Sequence, residues 1–208
     1  MATPDGMPLA WVLRRTGFEH QERINGPDLM WILCSHAERE RLSIFLYGST
    51  PDTLEKLVHC LKTSFPQLII AGAFSPPFRC LTVEEEREMT DLINNSGAHI
   101  AFVGLGCPKQ EFWMAAQRGK VQAVMIGVGA AFDYHAGTVK RAPIWMRQAG
   151  LEWLCRLMSE PKRLWKRYLI ANSLFLLYLG LGLFRSKNPS SLVSAALHNH
   201  KEPAPDDP

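Results

Sequence analysis

The sequence lacks most of the features that would place it at once. It has five cysteines in 208 residues, an odd number with no C-x-x-C pair (Cys34, Cys60, Cys80, Cys107, Cys155). That excludes a disulfide framework and a cysteine zinc cage, and it fits a reducing compartment. The opening Met1-Ala2-Thr3-Pro4-Asp5-Gly6 has no basic region leading into an apolar core, so no secretory signal is read and a cytoplasmic chain is expected. There is no internal repeat, no complete G-x-G-x-x-G and no G-x-x-x-x-G-K-[ST], so neither dinucleotide nor P-loop chemistry is indicated by motif. Net charge is small as well, with 23 Lys+Arg against 20 Asp+Glu, or +3. What is present, 47% apolar and 21% charged residues, is ordinary globular composition and excludes collagen, coiled-coil and wholly disordered chains.

The small net charge hides a division. From Lys140 to Lys187 ten basic residues face only Glu152 and Glu160, a local +8 that leaves −5 for the rest. The acidic body alternates short apolar runs with amphipathic stretches. Leu42 to Tyr47, Leu68 to Ala73, His99 to Val103 and Ala123 to Val128 read as strands. Between them, Thr53 to Thr63 has helical spacing, with Ser49 or Thr50 able to cap it and Pro51 suited to its first turn. Thr82 to Ser96 is an acidic helix opened by a Thr82-x-x-Glu85 capping box. This alternation predicts an α/β domain with a mainly parallel sheet. In such domains ligands collect beyond the carboxyl ends of the strands, where glycines admit close backbone approach and helix N-termini offer N–H groups to phosphate. Gly48, Gly104-x-Gly106 and Gly127-x-Gly129 fall at those ends. They fit a phosphate ligand, or simply tight turns.

The basic module differs in kind. Pro143 to Tyr168 interleaves Trp145, Leu151, Leu154, Leu157 and Leu164 with Arg147, Arg156, Arg163 and Arg167. The spacing from Arg156 through Arg163 to Arg167 keeps those arginines on one helical side, while Pro161 breaks or restarts the helix. Tyr168 to Phe184 is an uncharged run of 17 residues, diluted by Asn172, Ser173, Gly180 and Gly182 and marginal for spanning a bilayer. A core helix with a solvated basic face and a nucleic-acid surface are alternatives. An interfacial element suits both properties best, with its apolar side among acyl chains and its cations at anionic headgroups or a lipid diphosphate. The expected division is therefore a glycine-turn domain over residues 1–143, a basic appendage over 144–185, and a disordered tail over 186–208, in which His198-x-His200 is solvated rather than metal-binding.

Six blocks carry a more specific resemblance: Asp5-Gly6-Met7-Pro8, Glu22 to Leu29 (ERINGPDL), Gly104 to Glu111 (GLGCPKQE), Gly127 to Asp133 (GVGAAFD), Ala136-Gly137 with Arg141-Ala142-Pro143, and Gly150 to Leu157 (GLEWLCRL) with Glu160 to Arg163. In order and spacing the chain, from about Asp5 to Tyr168, resembles the WecG/TagA/CpsF glycosyltransferase family. The resemblance implies a Rossmann-like sheet with helices on both faces. It implies an inverting, metal-independent transferase that moves a sugar, of N-acetylmannosamine type or a hexose or uronic acid, from a UDP-sugar to a sugar on an undecaprenyl-diphosphate carrier during cell-surface polysaccharide synthesis. No D-x-D metal motif occurs in the family's pattern or here. By the same resemblance Asp5 is the catalytic base, Arg23 lies near sugar and diphosphate, and Gln110 and Asp133 join Gly104 and Gly106 in the substrate pocket. Arg156, Arg163 and either Lys166 or Arg167 grip the lipid-linked diphosphate. No cofactor, metal or nucleic acid is expected; the partners are the UDP-sugar, the polyprenyl-diphosphate acceptor, the inner membrane surface and, as a further option, a homo-oligomer.

Each position also has a plainer reading: Asp5 as a turn residue, Arg23 paired with Asp28, Gln110 and Asp133 as helix-start or turn residues. One departure stands out. The family carries a βα segment with a Thr-x-Asn stretch ahead of its Asp-Gly block, whereas four residues precede Asp5. Either the true start lies upstream or the protein is a form short at that end, and the alternative function is a catalytically silent, membrane-associated scaffold subunit.

Overall fold

The structure is a computed structural model, which describes residues 3–159 and 161–185; the side chains at 163, 167 and 181–185 lie outside the described set, as does the tail with His198 and His200. Two helices come before the first strand. Helix α1, Met7–Arg15, carries Pro8 in its first turn. Helix α2, Gly26–Arg39, opens under Asn25, whose side-chain oxygen accepts the Asp28 N–H at 3.0 Å. Strand β1, Ser43–Gly48, is buried along its whole length. Helix α3, Pro51–Ser64, is capped by Thr50, which accepts from the Thr53 N–H at 3.2 Å. Strand β2 is Ile69–Phe74, and helix α4, Val83–Asn95, begins with the reciprocal Thr82–Glu85 capping box read from the sequence. Strand β3 is Ile100–Gly104, helix α5 Lys109–Ala116, strand β4 Val124–Gly127 and the short helix α6 Ala131–His135. Helices α7, Ile144–Gln148, α8, Glu152–Ser159, and α9, Pro161–Arg185, complete the described residues. Pro161 is the first residue of α9, a position where its missing backbone N–H is tolerated.

All strand pairs are parallel and the order is β2-β1-β3-β4. The chain winds outward from β1 to β2, then crosses to the far side of β1 for β3 and β4. The carboxyl ends of β1 and β3 are therefore the point where the winding reverses. Alternate residues feed two layers. Ile44, Leu46 and Phe102 pack with Met30, Cys34 and Ala37 of α2, Leu54, Leu57 and Leu61 of α3, and Phe132 of α6. On the opposite face Phe45, Tyr47, Ala101 and Val103 pack with Ile93 of α4 and Trp113 of α5. This is the Rossmann-like α/β sheet with helices on both faces. Burial pushes the Cys34 thiol up to about 12, which keeps it an inert core group. None of the five cysteines is in a disulfide.

The chain forms two compact units. One contains Ile24–Arg141 and hence the whole sheet; the other draws the amino-terminal segment as far as Arg23 together with the chain from Ala142 onward. Within the second, Ala10 and Ala142 are buried, as is Leu164, and Trp153 meets Tyr168 edge-on at 5.9 Å. Leu169, Ile170, Leu174, Leu176, Leu177 and Tyr178 on α9 are exposed. No helix among the described residues is long and apolar enough to cross a membrane.

Candidate active site

The sheet unit places its glycine turns where the winding reverses. Gly48 has φ 126°, and a Cβ there would lie 2.6 Å from the Gly104 carbonyl carbon and 2.7 Å from its oxygen. Only glycine permits that approach. Ser49 follows with φ 58°, an uncommon left-handed position for a side-chain-bearing residue, and its N–H donates to the Gly104 carbonyl at 3.1 Å. Because Thr50 caps α3, the Ser49 hydroxyl is free of that duty; it donates to Asp133 Oδ1 at 3.4 Å, while Ser75 donates to the Ser49 carbonyl at 2.7 Å. The next two turns also contain left-handed residues, Gly106 at φ 80° and Gly129 at φ 55°.

Gln110 is 7% exposed. Its side-chain oxygen accepts the Gly129 N–H at 3.1 Å and its amide donates to Glu111 at 3.0 Å, so it ties the turn after β3 to the turn after β4. Gly104, Gly106, Gln110 and Asp133 are thus gathered around one set of strand ends. An apolar groove lined by Leu54, Val58, Phe74 and Ser75 runs beside β2; the polar groups converge at the glycine turns instead. Among the described residues no group of three or more His, Cys, Asp or Glu side chains is arranged to hold a metal ion.

The same unit explains two sequence blocks in structural terms. Arg141 Nη1 pairs with Asp28 Oδ1 at 2.5 Å, Arg141 Nη2 donates to Asn25 Oδ1 at 3.0 Å, and Asn25 Nδ2 donates to Asp28 Oδ2 at 2.7 Å. Beside this network the His135 ring stacks on Trp31 at 4.8 Å and its Nε2 contacts the Pro27 carbonyl at 2.9 Å. Burial holds the His135 pKa below its usual value, with Arg141 adding to the effect and the Pro27 carbonyl and Asp28 opposing it.

The second unit gathers a different set. Arg23, with its side chain 17% exposed, reaches Glu152 Oε2 at 2.7 Å and Asp5 Oδ1 at only 3.4 Å, and its Nε donates to the Asp5 backbone carbonyl. Asp28 is held by Arg141, and Arg23 by contrast pairs with Glu152 and Asp5. Desolvation raises the Asp5 pKa; Arg23 opposes it through charge and a hydrogen bond, Glu152 adds to it and Arg156 opposes it. The Asp5 side chain keeps 69% of its accessible surface, so water screens these effects and the rise is modest in energetic terms.

Asp5, Arg23 and Arg156 are thus brought together electrostatically. Lys166 is exposed, with its ammonium 5.5 Å from the Trp165 ring. Arg163 and Arg167 fall on α9, but their side chains lie outside the described set. Three residues escaped the sequence reading as site components: Ser49, Ser75 and Glu152. A polar residue directly after a glycine strand end marks Ser49. Glu152, one of two acids in the +8 segment, is the residue an arginine cluster would be expected to engage.

A family model described as Glycosyl transferase WecG/TagA/CpsF family matches residues 1–189. Similar proteins include the N-acetylglucosaminyldiphosphoundecaprenol N-acetyl-beta-D-mannosaminyltransferases of Bacillus spizizenii and Bacillus subtilis. Each is 36% identical over 167 residues, covering 80% of this chain. The matched region spans 63% of either relative's length. On the extent of the family match, with a parallel sheet that brings the blocks' glycines to one switch point, the chain belongs to the WecG/TagA/CpsF glycosyltransferase family.

Proposed function

We propose that this chain transfers an N-acetylmannosamine-type sugar from its UDP donor to the sugar of an undecaprenyl-diphosphate-linked acceptor, with inversion and without a metal. The family match across residues 1–189 carries this reading, and the names of the two Bacillus relatives supply the sugar and the acceptor. A β-linked product from an α-linked UDP donor requires attack on the face opposite the leaving group. One carboxylate then suffices as base. Asp5 takes the proton from the acceptor hydroxyl, that oxygen bonds to the anomeric carbon, and the bond from that carbon to UDP breaks with its electron pair leaving on the diphosphate.

The departing charge needs donors. The turns at Gly48-Ser49, Gly104 to Gly106 and Gly129 offer backbone N–H groups of the kind that bind phosphate, and Asp133 with Ser49 lines them. Gln110 acts by holding two of those turns in register, and Arg23 adds a guanidinium of the kind that stabilises growing negative charge. Arg156, Arg163, Lys166 and Arg167 meet the acceptor diphosphate, while the exposed apolar residues of α9 rest on the membrane surface. The sugar assignment is tested by incubating the protein with UDP-N-acetylmannosamine and a lipid-diphosphate-linked N-acetylglucosamine, with and without EDTA. A β-linked disaccharide lipid formed equally in both is expected. A product of retained configuration, or activity lost in EDTA and restored by Mg²⁺, would overturn it.

A further inference from the structure

The Arg23 guanidinium is shared unequally between two carboxylates. Its short contact, 2.7 Å, is to Glu152, whose residue is 8% exposed; its contact to the Asp5 carboxylate is 3.4 Å. The Asp5 end is gripped also through its backbone, by the Arg23 Nε. Local packing fixes this arrangement. Gly150, at φ 73°, sits against α1, where an added Cβ would lie 3.0 Å from Met7 Cβ and 3.5 Å from the Trp11 ring. That close approach sets the start of α8, and hence Glu152, against the segment that begins at Asp5.

A lone arginine beside an exposed aspartate would settle into a two-pronged pair, the strongest geometry available to it. Such a pair would lower the basicity of the carboxylate and occupy the oxygens that must accept a proton. We propose that Glu152 is a positioning residue that draws the Arg23 guanidinium toward itself, so that Arg23 keeps only a long 3.4 Å contact with the Asp5 carboxylate and Asp5 retains the basicity to act as base. This rests on Asp5 being the base. The charged groups facing Asp5 are Arg23, Glu152 and Arg156. Among these described groups Glu152 is the negative one, so removing its charge shifts the local balance toward the cations Arg23 and Arg156.

The test is the pH profile of kcat in the full chain for wild type, Glu152→Gln, Glu152→Asp and Asp5→Asn, with KM for UDP-sugar measured alongside. Glu152→Gln is expected to lower kcat about 10-fold and to move the acid limb down by about one pH unit, with KM for UDP-sugar within twofold of wild type. Glu152→Asp, which keeps the charge on a shorter arm, is expected to recover most of the rate and most of the shift, and it serves if the Gln variant does not fold. An unmoved acid limb in both Glu152 variants, with Asp5→Asn inactive, would overturn the role of Glu152 and leave Asp5 as base. Full activity in Asp5→Asn would show that Asp5 is not the base and would remove the role of Glu152 with it.

Discussion

Replacing Gly48 by Ala should destabilise the sheet unit far more than replacing Gly97 by Ala, although both glycines have positive φ, 126° and 66°. At Gly97 nothing lies within 4 Å of the added methyl. The cost there is the left-handed backbone penalty, about 1–2 kcal/mol, offset by about 0.4–1 kcal/mol from restricting the unfolded chain, for a net loss near 1 kcal/mol. At Gly48 the methyl meets the Gly104 carbonyl carbon at 2.6 Å, its oxygen at 2.7 Å and the Leu105 nitrogen at 3.0 Å. These are backbone atoms that cannot rotate aside. Overpacking of this kind adds about 1–3 kcal/mol to that same net of about 1 kcal/mol, so the total reaches about 2–4 kcal/mol. Urea unfolding reads the difference directly. With a slope of about 1–3 kcal/mol/M, Gly48→Ala should lower the midpoint by about 1 M or more, and Gly97→Ala by well under half of that. UDP affinity should fall only for Gly48→Ala, because spreading the ends of β1 and β3 misplaces the turns proposed to hold the donor diphosphate. Equal midpoints for the two variants, or UDP binding unchanged in Gly48→Ala, would refute the close approach as the determinant of the switch point.

The buried His135 gives a pH signature. Its folded pKa lies below the usual value near 6.5, so its contribution to stability is complete above that value and is lost as pH falls through the lower folded value. His135→Phe should therefore flatten the decline in melting temperature between pH 7.5 and 5 relative to wild type; parallel declines would contradict this. Leu57, fully buried against the sheet, should cost about 2–5 kcal/mol on truncation to Ala, read as a drop in the urea midpoint, and a loss under 1 kcal/mol would mean that face is not packed. Changing Arg156 and Arg163 together to Ala should raise KM for the lipid-linked acceptor at least tenfold more than KM for UDP-sugar. Equal increases would assign the pair to folding.

The strands and two capped helices are legible in the sequence because their signals are local. Four apolar runs end in glycine or turn residues, Thr50 stands immediately before Pro51, and Thr82 stands three residues before Glu85. The glycine turns are legible for a similar reason, since strand–glycine–helix order already places them at one edge of a parallel sheet. Helices α1 and α2 were less so: Asn25-Gly26-Pro27-Asp28 has the cap and first-turn chemistry of a helix start, but in the sequence it stands among blocks read for chemistry. Side-chain partners were hardest to see. Arg23 could be matched to Asp28, three residues past the α2 cap, whereas the fold gives Asp28 to Arg141 and Arg23 to Glu152, 129 residues away. Charge counting finds that an arginine needs an acid; it cannot choose among acids that only tertiary structure brings near.

The most direct measurement is acceptor-dependent UDP release from UDP-N-acetylmannosamine, compared between wild type and Asp5→Asn at equal folded concentration. Wild type should release UDP only when the lipid-diphosphate-linked sugar is present, and Asp5→Asn should lower that rate by about 10²-fold or more, the contribution of a positioned general base. No acceptor-dependent release from wild type, or a rate undiminished in Asp5→Asn, would contradict the assignment of this chain as a transferase with Asp5 as its base.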